Sequence, residues 1–219
     1  MSSPSATPLA VFARPPLAGH AKTRLAAALG DDGAARLYAA FVADVLAHAA
    51  AAGADVTLYV AGDPDEPSLL DIAGARAVRR CAQRGRDLGE RMARALEAQR
   101  VLHGIGLVVG TDSPTLPLRD LTAAARALEQ SDVVLGPAAD GGFWLIGTRV
   151  PLARALDGVR WSSAYALADT LRGTARIGAS VALAPPWYDV DTPDDLRLLR
   201  AHLDLDPSAA PATARALGF

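Results

Sequence analysis

With 219 residues, 51% of them hydrophobic, the chain is long enough to bury a sizeable core, and one domain is the expected count. A formal charge of −2 offers no basic face for nucleic acid, and no uninterrupted apolar run reads as a membrane span. The stretch 1–8 lacks the basic and apolar regions of a secretory signal, and a single cysteine, Cys81, excludes an internal disulfide, so a cytoplasmic protein is expected.

Taken in order, Leu9 to Ala13 reads as the first strand. The Pro- and Gly-bearing segment Arg14 to Ala21 is a loop, and Lys22-Thr23-Arg24-Leu25 opens a short helix to Leu29. A second, amphipathic helix is predicted over 31–52, with Leu37, Phe41, Val45 and His48 on one side. Asp55 to Val60 is a strand, Ser68 to Ala73 a short helix, and 77–80 a further strand. Asp87 followed by Glu90 suits a capping box for a helix running to Leu102. Ile105 to Val109 is apolar without alternation, the pattern of a strand buried on both faces of a parallel sheet. A helix over 118–130, a strand over 132–137 and an Asp140-Gly141 hairpin turn follow. Ser162 or Ser163 is a candidate cap for a helix to Leu171, and 176–183 is predicted as the last strand. Pro193 starts the final helix, to Leu203, with Asp194 and Asp195 at its positive end. The core therefore spans about 9–203 of one domain, 1–219, and the Ala/Pro-rich 204–219 is expected to be a loosely held tail.

Several residues stand out chemically. Lys22 is the only lysine in the chain; every other permanent cation is arginine. A compact ammonium kept as an exception suggests a particular oxygen to be reached. Strand, glycine-bearing loop and helix start form a phosphate cradle, with Arg14, Lys22 and Arg24 around it. Neither a Walker A loop nor Gly-x-Gly-x-x-Gly is present. Asp112 stands just past a buried strand, where ligands of open α/β sheets collect, although an Asx-turn or a helix cap would also explain it. Gly89 in a first helical turn costs about 1 kcal/mol against alanine, which suggests close approach of a ligand or another backbone. Asp140-Gly141-Gly142 is either a plain hairpin or a loop whose backbone approaches a sugar or nucleotide. Asp189 and Asp191 precede the last helix and are better ligand candidates than Asp194 and Asp195.

As a set, Phe12 to Pro16 with Lys22-Thr-Arg-Leu, Gln83 to Met92, Gly110-Thr-Asp-Ser-Pro, Gly136-Pro through Gly147, Trp161-Ser and Asp189-Val-Asp-Thr-Pro-Asp-Asp-Leu resemble a known family. It is the GT-A-type family of rSAM/selenodomain-associated transferases, whose relatives include guanylyltransferases of molybdenum-cofactor and phospholactate type. The resemblance implies a nucleotide-diphospho-sugar transferase (GT-A, Rossmann-like) fold: a mostly parallel twisted sheet flanked by helices. It implies that Arg14 and Lys22 hold nucleotide phosphates with Arg24 assisting, and that Gln83 and Gly89 lie in the segment facing the nucleotide. Asp112 would take the place of the superfamily's metal-binding acid, with Asp191, or Asp189 in its stead, as the second ligand of Mg²⁺ or Mn²⁺. Asp140 would orient or deprotonate an acceptor hydroxyl, with Gly141, Gly142 and Trp161 on the acceptor side.

Glycosyl transfer from a nucleotide sugar to a small acceptor is the leading expectation. Nucleotidyl transfer from a nucleoside triphosphate onto a phosphorylated small molecule, releasing pyrophosphate, is the alternative; the Gly-Gly-x-Ser-x-Arg loop of many nucleotidyltransferases is missing and leaves the choice open. A non-catalytic nucleotide-binding module is the third reading, motivated by one aspartate where the superfamily writes Asp-x-Asp. Base, sugar, acceptor and oligomeric state are not written in these residues.

Overall fold

The structure, a computed structural model, describes residues 6–72 and 74–219, apart from the side chains of Leu118 and Arg119. Ala73, the expected end of a short helix, and residues 1–5 of the leader reading lie outside the described residues.

Seven strands form one sheet: β1 Thr7–Ala13, β2 Ala54–Val60, β3 Arg79–Ala82, β4 Gly106–Val109, β5 Val133–Pro137, β6 Phe143–Thr148 and β7 Val181–Leu183. Their order is β3-β2-β1-β4-β6-β5-β7. β6 runs antiparallel to both neighbours and every other pairing is parallel, so the expected mostly parallel sheet is present. The runs Leu9–Ala13 and Leu107–Val109 are buried throughout, as strands covered on both faces must be.

Helices cover both faces. Leu25, Leu37, Phe41, Val42 and Val45 of α1 (Thr23–Ala51) pack on one apolar cluster. Met92, Ala95 and Leu96 of α3 (Leu88–His103), reached through the short α2 (Pro67–Leu70), pack on the other. α4 (Leu118–Ala127) lies with α1; α5 (Ala153–Leu156) and α6 (Ala166–Arg176) lie with α3; α7 (Pro193–Leu205) returns to the α1 face.

Five differences from the sequence expectation have physical causes. The two helices expected over 22–52 are one element kinked at Gly30, whose φ of 71° leaves the helical region without ending the apolar face. α1 has the length and composition of a membrane-crossing helix, yet 56% of its most apolar window is buried inside the protein. Residue 176 ends α6 rather than starting a strand, so β7 shrinks to three residues. The capping pair at α3 is split: Asp87 accepts from the Glu90 amide at 2.8 Å, while the Glu90 carboxylate accepts from the Arg86 amide at 3.0 Å. The 204–219 segment is not loose. It ends in α8 (Pro211–Leu217), whose first amides, Ala212 and Thr213, both donate to the buried Asp44 carboxylate at 2.8 Å. A carboxylate from α1 supplies the cap that the Ala/Pro-rich segment itself lacks.

Candidate active site

The carboxyl ends of β1 and β4 lie side by side, and the loops leaving them open into a cavity of about 710 Å³. Val190 N–H donates to the Asp112 carbonyl at 2.8 Å, stitching the segment before α7 to the loop after β4. Thr115 Oγ1 donates to the Tyr188 hydroxyl at 2.9 Å, and that hydroxyl lies 2.8 Å from His202 Nδ1, which fixes the same two loops a second time. The Asp195 carboxylate completes the capping box of α7 and also accepts from the Asp191 amide at 3.0 Å. An acid that sequence reasoning assigned only to the helix dipole therefore also positions Asp191.

Lys22 sits at the centre of this arrangement. Its Nζ is 2.5 Å from Asp112 Oδ1 and 2.6 Å from Asp191 Oδ1, with a side chain only 5% exposed. Burial alone would push the ammonium's pKa down; the two facing carboxylates outweigh it and hold the pKa above the ordinary lysine value. The backbone at Lys22 has φ 49°, and Ser162, at φ 56°, is the other non-glycine residue with positive φ among the described residues. Both line the cavity, and such left-handed backbone costs roughly 1–3 kcal/mol, which the surrounding contacts must offset.

Asp189 lies in the same cavity but is engaged differently. Ser113 Oγ donates to its carboxylate at 2.5 Å, and burial, opposed by that bond, pushes its pKa up to about 6. Asp140 lines the cavity and is exposed, and its Oδ1 accepts from the Gly142 amide at 2.8 Å in the turn between β5 and β6. Among the described residues no group of three or more His, Cys, Asp or Glu side chains is gathered for a metal. What does converge is one oxygen each from Asp112 and Asp191 on a single cationic point. Mg²⁺ is commonly held by one or two carboxylates together with substrate phosphates, and the donor pair present meets that requirement.

Arg14 and Arg24 also line the cavity, both exposed. Gln83 lines it too, with its amide nitrogen already donating to the carbonyls of Ala13 (3.1 Å) and Tyr59 (3.0 Å), so that Oε1 is what it can offer a ligand. Gly89 and Gly141 are both closely approached by the protein itself. A Cβ on Gly89 would come within 2.7 Å of the Trp161 indole, and one on Gly141 within 2.3 Å of the Ala164 carbonyl. Close approach is indeed why glycine stands at both positions, but the approaching groups belong to the protein. Gly142 and Trp161 remain on the cavity wall, Trp161 edge-on to Phe143.

Three residues escaped the sequence reading. Tyr38, on α1, accepts from the Arg14 amide at 3.1 Å and pairs with Thr111 Oγ1 at 2.8 Å. Thr111 Oγ1 in turn donates to the Phe12 carbonyl at 3.3 Å, which locks the ends of β1 and β4 together. Arg91, on α3, lines the cavity as well. The α1 periodicity passes through Tyr38, so its aromatic spacing was a usable signal; nothing in sequence separated Arg91 from its neighbours.

This chain belongs to the family described as "Uncharacterized protein conserved in bacteria (DUF2064)", whose model matches residues 42–163. It is 35% identical over 133 residues to a 3-phospho-D-glycerate guanylyltransferase of Phenylobacterium zucineum (strain HLK1), an alignment covering 59% of this chain and 61% of that protein. A Desulfovibrio desulfuricans G20 protein assigned to the nucleotide-diphospho-sugar transferases is 32% identical, covers 97% of this chain and 94% of its own, and superposes with a TM-score of 0.87. The inositol-1-phosphate CTP transferase of T. maritima, at 16% identity, 98% coverage of each chain and a TM-score of 0.57, shares the fold. The fold is thus that of the nucleotide-diphospho-sugar transferases.

Proposed function

We propose that this chain is a nucleotidyltransferase that moves a nucleoside monophosphate from a nucleoside triphosphate onto a phosphorylated small molecule, releasing pyrophosphate. The observation that carries the reading is the Lys22 ammonium held between Asp112 and Asp191 at the adjoining ends of two parallel strands, beside a cavity large enough for a nucleotide. The similarity to a guanylyltransferase supports nucleotidyl transfer, where the motifs alone favoured glycosyl transfer.

In this reading an oxygen of the acceptor's phosphate attacks the α-phosphorus of the donor. The bond from that phosphorus to the bridging oxygen breaks, and pyrophosphate leaves with the electron pair. An ionised phosphate needs no base to become a nucleophile, so the step asks of the protein chiefly neutralisation of charge on the leaving oxygens. Arg14 and Arg24 receive the donor's phosphates, and Lys22 turns from its carboxylates toward the leaving group. Asp112 and Asp191, so released, would be the residues to hold Mg²⁺ or Mn²⁺, which would supply further positive charge for the developing anion. Removal of one such group costs about 2.7–4 kcal/mol of barrier, a loss of roughly 100- to 1,000-fold in kcat.

A second reading, glycosyl transfer to a hydroxyl, draws on the Desulfovibrio relative, whose alignment takes in nearly the whole chain. It also draws on the exposed Asp140 carboxylate on the cavity wall, a candidate to accept a hydroxyl proton. A thermal-shift panel of nucleoside triphosphates and nucleotide sugars, with and without Mn²⁺, tests both. Stabilisation by a triphosphate, and pyrophosphate released on adding 3-phospho-D-glycerate, supports the first. Stabilisation by nucleotide sugars alone turns the assignment to the second, and binding of no nucleotide at all rejects both.

A further inference from the structure

α3 and the loop before it carry five arginines whose partners can be compared. Arg86 and Arg94 both pair with Glu90, and Arg100 pairs with Glu97. Arg84 is exposed to solvent. Arg91 is half-buried, and its one polar contact among the described residues is from Nε to the Gly85 carbonyl, at 3.2 Å. No carboxylate among the described residues pairs with it. The Nε contact fixes the guanidinium plane, while neither Nη group has an acceptor among the described residues.

The surroundings define what is missing. Arg91 lines the cavity together with Leu88 and Met92 of its own helix. The same helical turn touches Trp161 through Gly89, and Trp161 packs edge-on against Phe143. A guanidinium with apolar neighbours and no counter-charge is costly to keep half out of water, and an anion completing it recovers that cost. The other permanent cations of the cavity, Arg14, Lys22 and Arg24, come from the loop and helix start after β1. α1 and α3 pack on opposite faces of the sheet, so Arg91 reaches the cavity from the other side.

We infer that Arg91 anchors the anionic group of the second substrate, its planar fork gripping two oxygens of a phosphate or carboxylate on the Trp161 side of the cavity. This rests on the nucleotidyl-transfer reading, in which both substrates are anions and must be held apart until they react. Three cations at the end of β1 serve the donor, and Arg91 serves the acceptor. A planar fork matches such a two-oxygen group, whereas a lysine there would supply charge without the matching geometry.

The test uses the full chain, the α,β-methylene analogue of GTP to fill the donor site without turnover, and 3-phospho-D-glycerate as the acceptor probe. Calorimetry measures the affinity for the analogue first, then the affinity of the saturated protein for the probe. Arg91→Gln weakens the probe about 10- to 100-fold, the range for a lost charge-assisted pair, and leaves the analogue's affinity within twofold. Arg91→Lys recovers part of the loss. A melting temperature unchanged between wild type and Arg91→Gln establishes that the site, not the fold, was altered; if Arg91→Gln does not fold, Arg91→Lys carries the comparison alone. Probe affinity unchanged in the variants overturns the inference, as does a parallel loss of analogue affinity, which would make Arg91 a nucleotide contact. Wild-type protein that binds the analogue but not the probe also overturns it and leaves nucleotide binding standing. Failure to bind any nucleotide defeats the underlying reading instead.

Discussion

Replacing Lys22 by methionine tests the centre of the site. Methionine keeps an unbranched stem of similar volume against Tyr38 and Phe41, whose ring centroids lie 6.0 and 5.5 Å from Nζ, and removes only the charge. Asp112 and Asp191 then face each other with their nearer oxygens at most about 5 Å apart, where unit charges repel by about 3 kcal/mol or more at an effective dielectric near 20. Their side chains are 45% and 38% exposed, so solvent screens much of this, and a net loss of about 1–2 kcal/mol is expected. For a chain of this size that lowers Tm by roughly 2–8 °C. Scanning calorimetry without ligand reads the loss directly. Mn²⁺ added alone should raise the Tm of Lys22→Met, because two unneutralised carboxylates invite a cation, and should leave wild type unmoved, because its ammonium already fills that place. If the variant melts with wild type, or if both respond alike to Mn²⁺, the ammonium is not the cation that holds these acids together.

Three further outcomes follow from the same coordinates. Gly89→Ala should gain none of the roughly 1 kcal/mol of helix propensity that alanine normally brings, because its methyl would meet the Trp161 indole; a Tm increase of the full propensity term would show that the contact is absent. Asp44→Ala should cost about 1–2 kcal/mol and expose residues 206–219 to limited proteolysis, since the amides of Ala212 and Thr213 lose their shared acceptor; an unchanged digestion pattern would show that α8 is held by packing alone. Asp189 has its folded-state pKa raised from 3.8 to about 6, so the folded state holds this proton more tightly than the unfolded chain. Stability owed to that group is full below 3.8 and lost as pH rises to 6, and Asp189→Asn, which keeps an acceptor for Ser113, should remove that slope. Tm difference curves between the two proteins from pH 3.5 to 7.5 read it; a difference flat across that window would mean that Asp189 ionises normally.

Much of the architecture follows from local patterns. Unbroken runs such as Leu107–Val109 read as strands covered on both sides, and Asp140-Gly141 between two apolar runs reads as a tight turn. Those patterns suffice for the central strands, the β5–β6 hairpin and the helix starts at Asp87 and Pro193. The single lysine could also be recognised, since its oddity is compositional.

Partnership could not be read that way. Burial of Val190 leaves both of its neighbours facing the cavity, and which of them reaches the ammonium is decided by the partners met there, Ser113 for Asp189 and Lys22 for Asp191. Arg91 has the same residue type and helical spacing as arginines that pair with glutamates; only the wall it faces makes it different. The residue at the start of α8, Ala210, has no side chain that could cap it, and the carboxylate that takes up the first amides stands on α1. Periodicity records which face of an element is buried, because burial of apolar area repeats with the element's own geometry. Which charge meets which is set by the order of strands in the sheet and the loops their ends bring together, contacts between residues that share no local pattern, and those the folded chain alone decides.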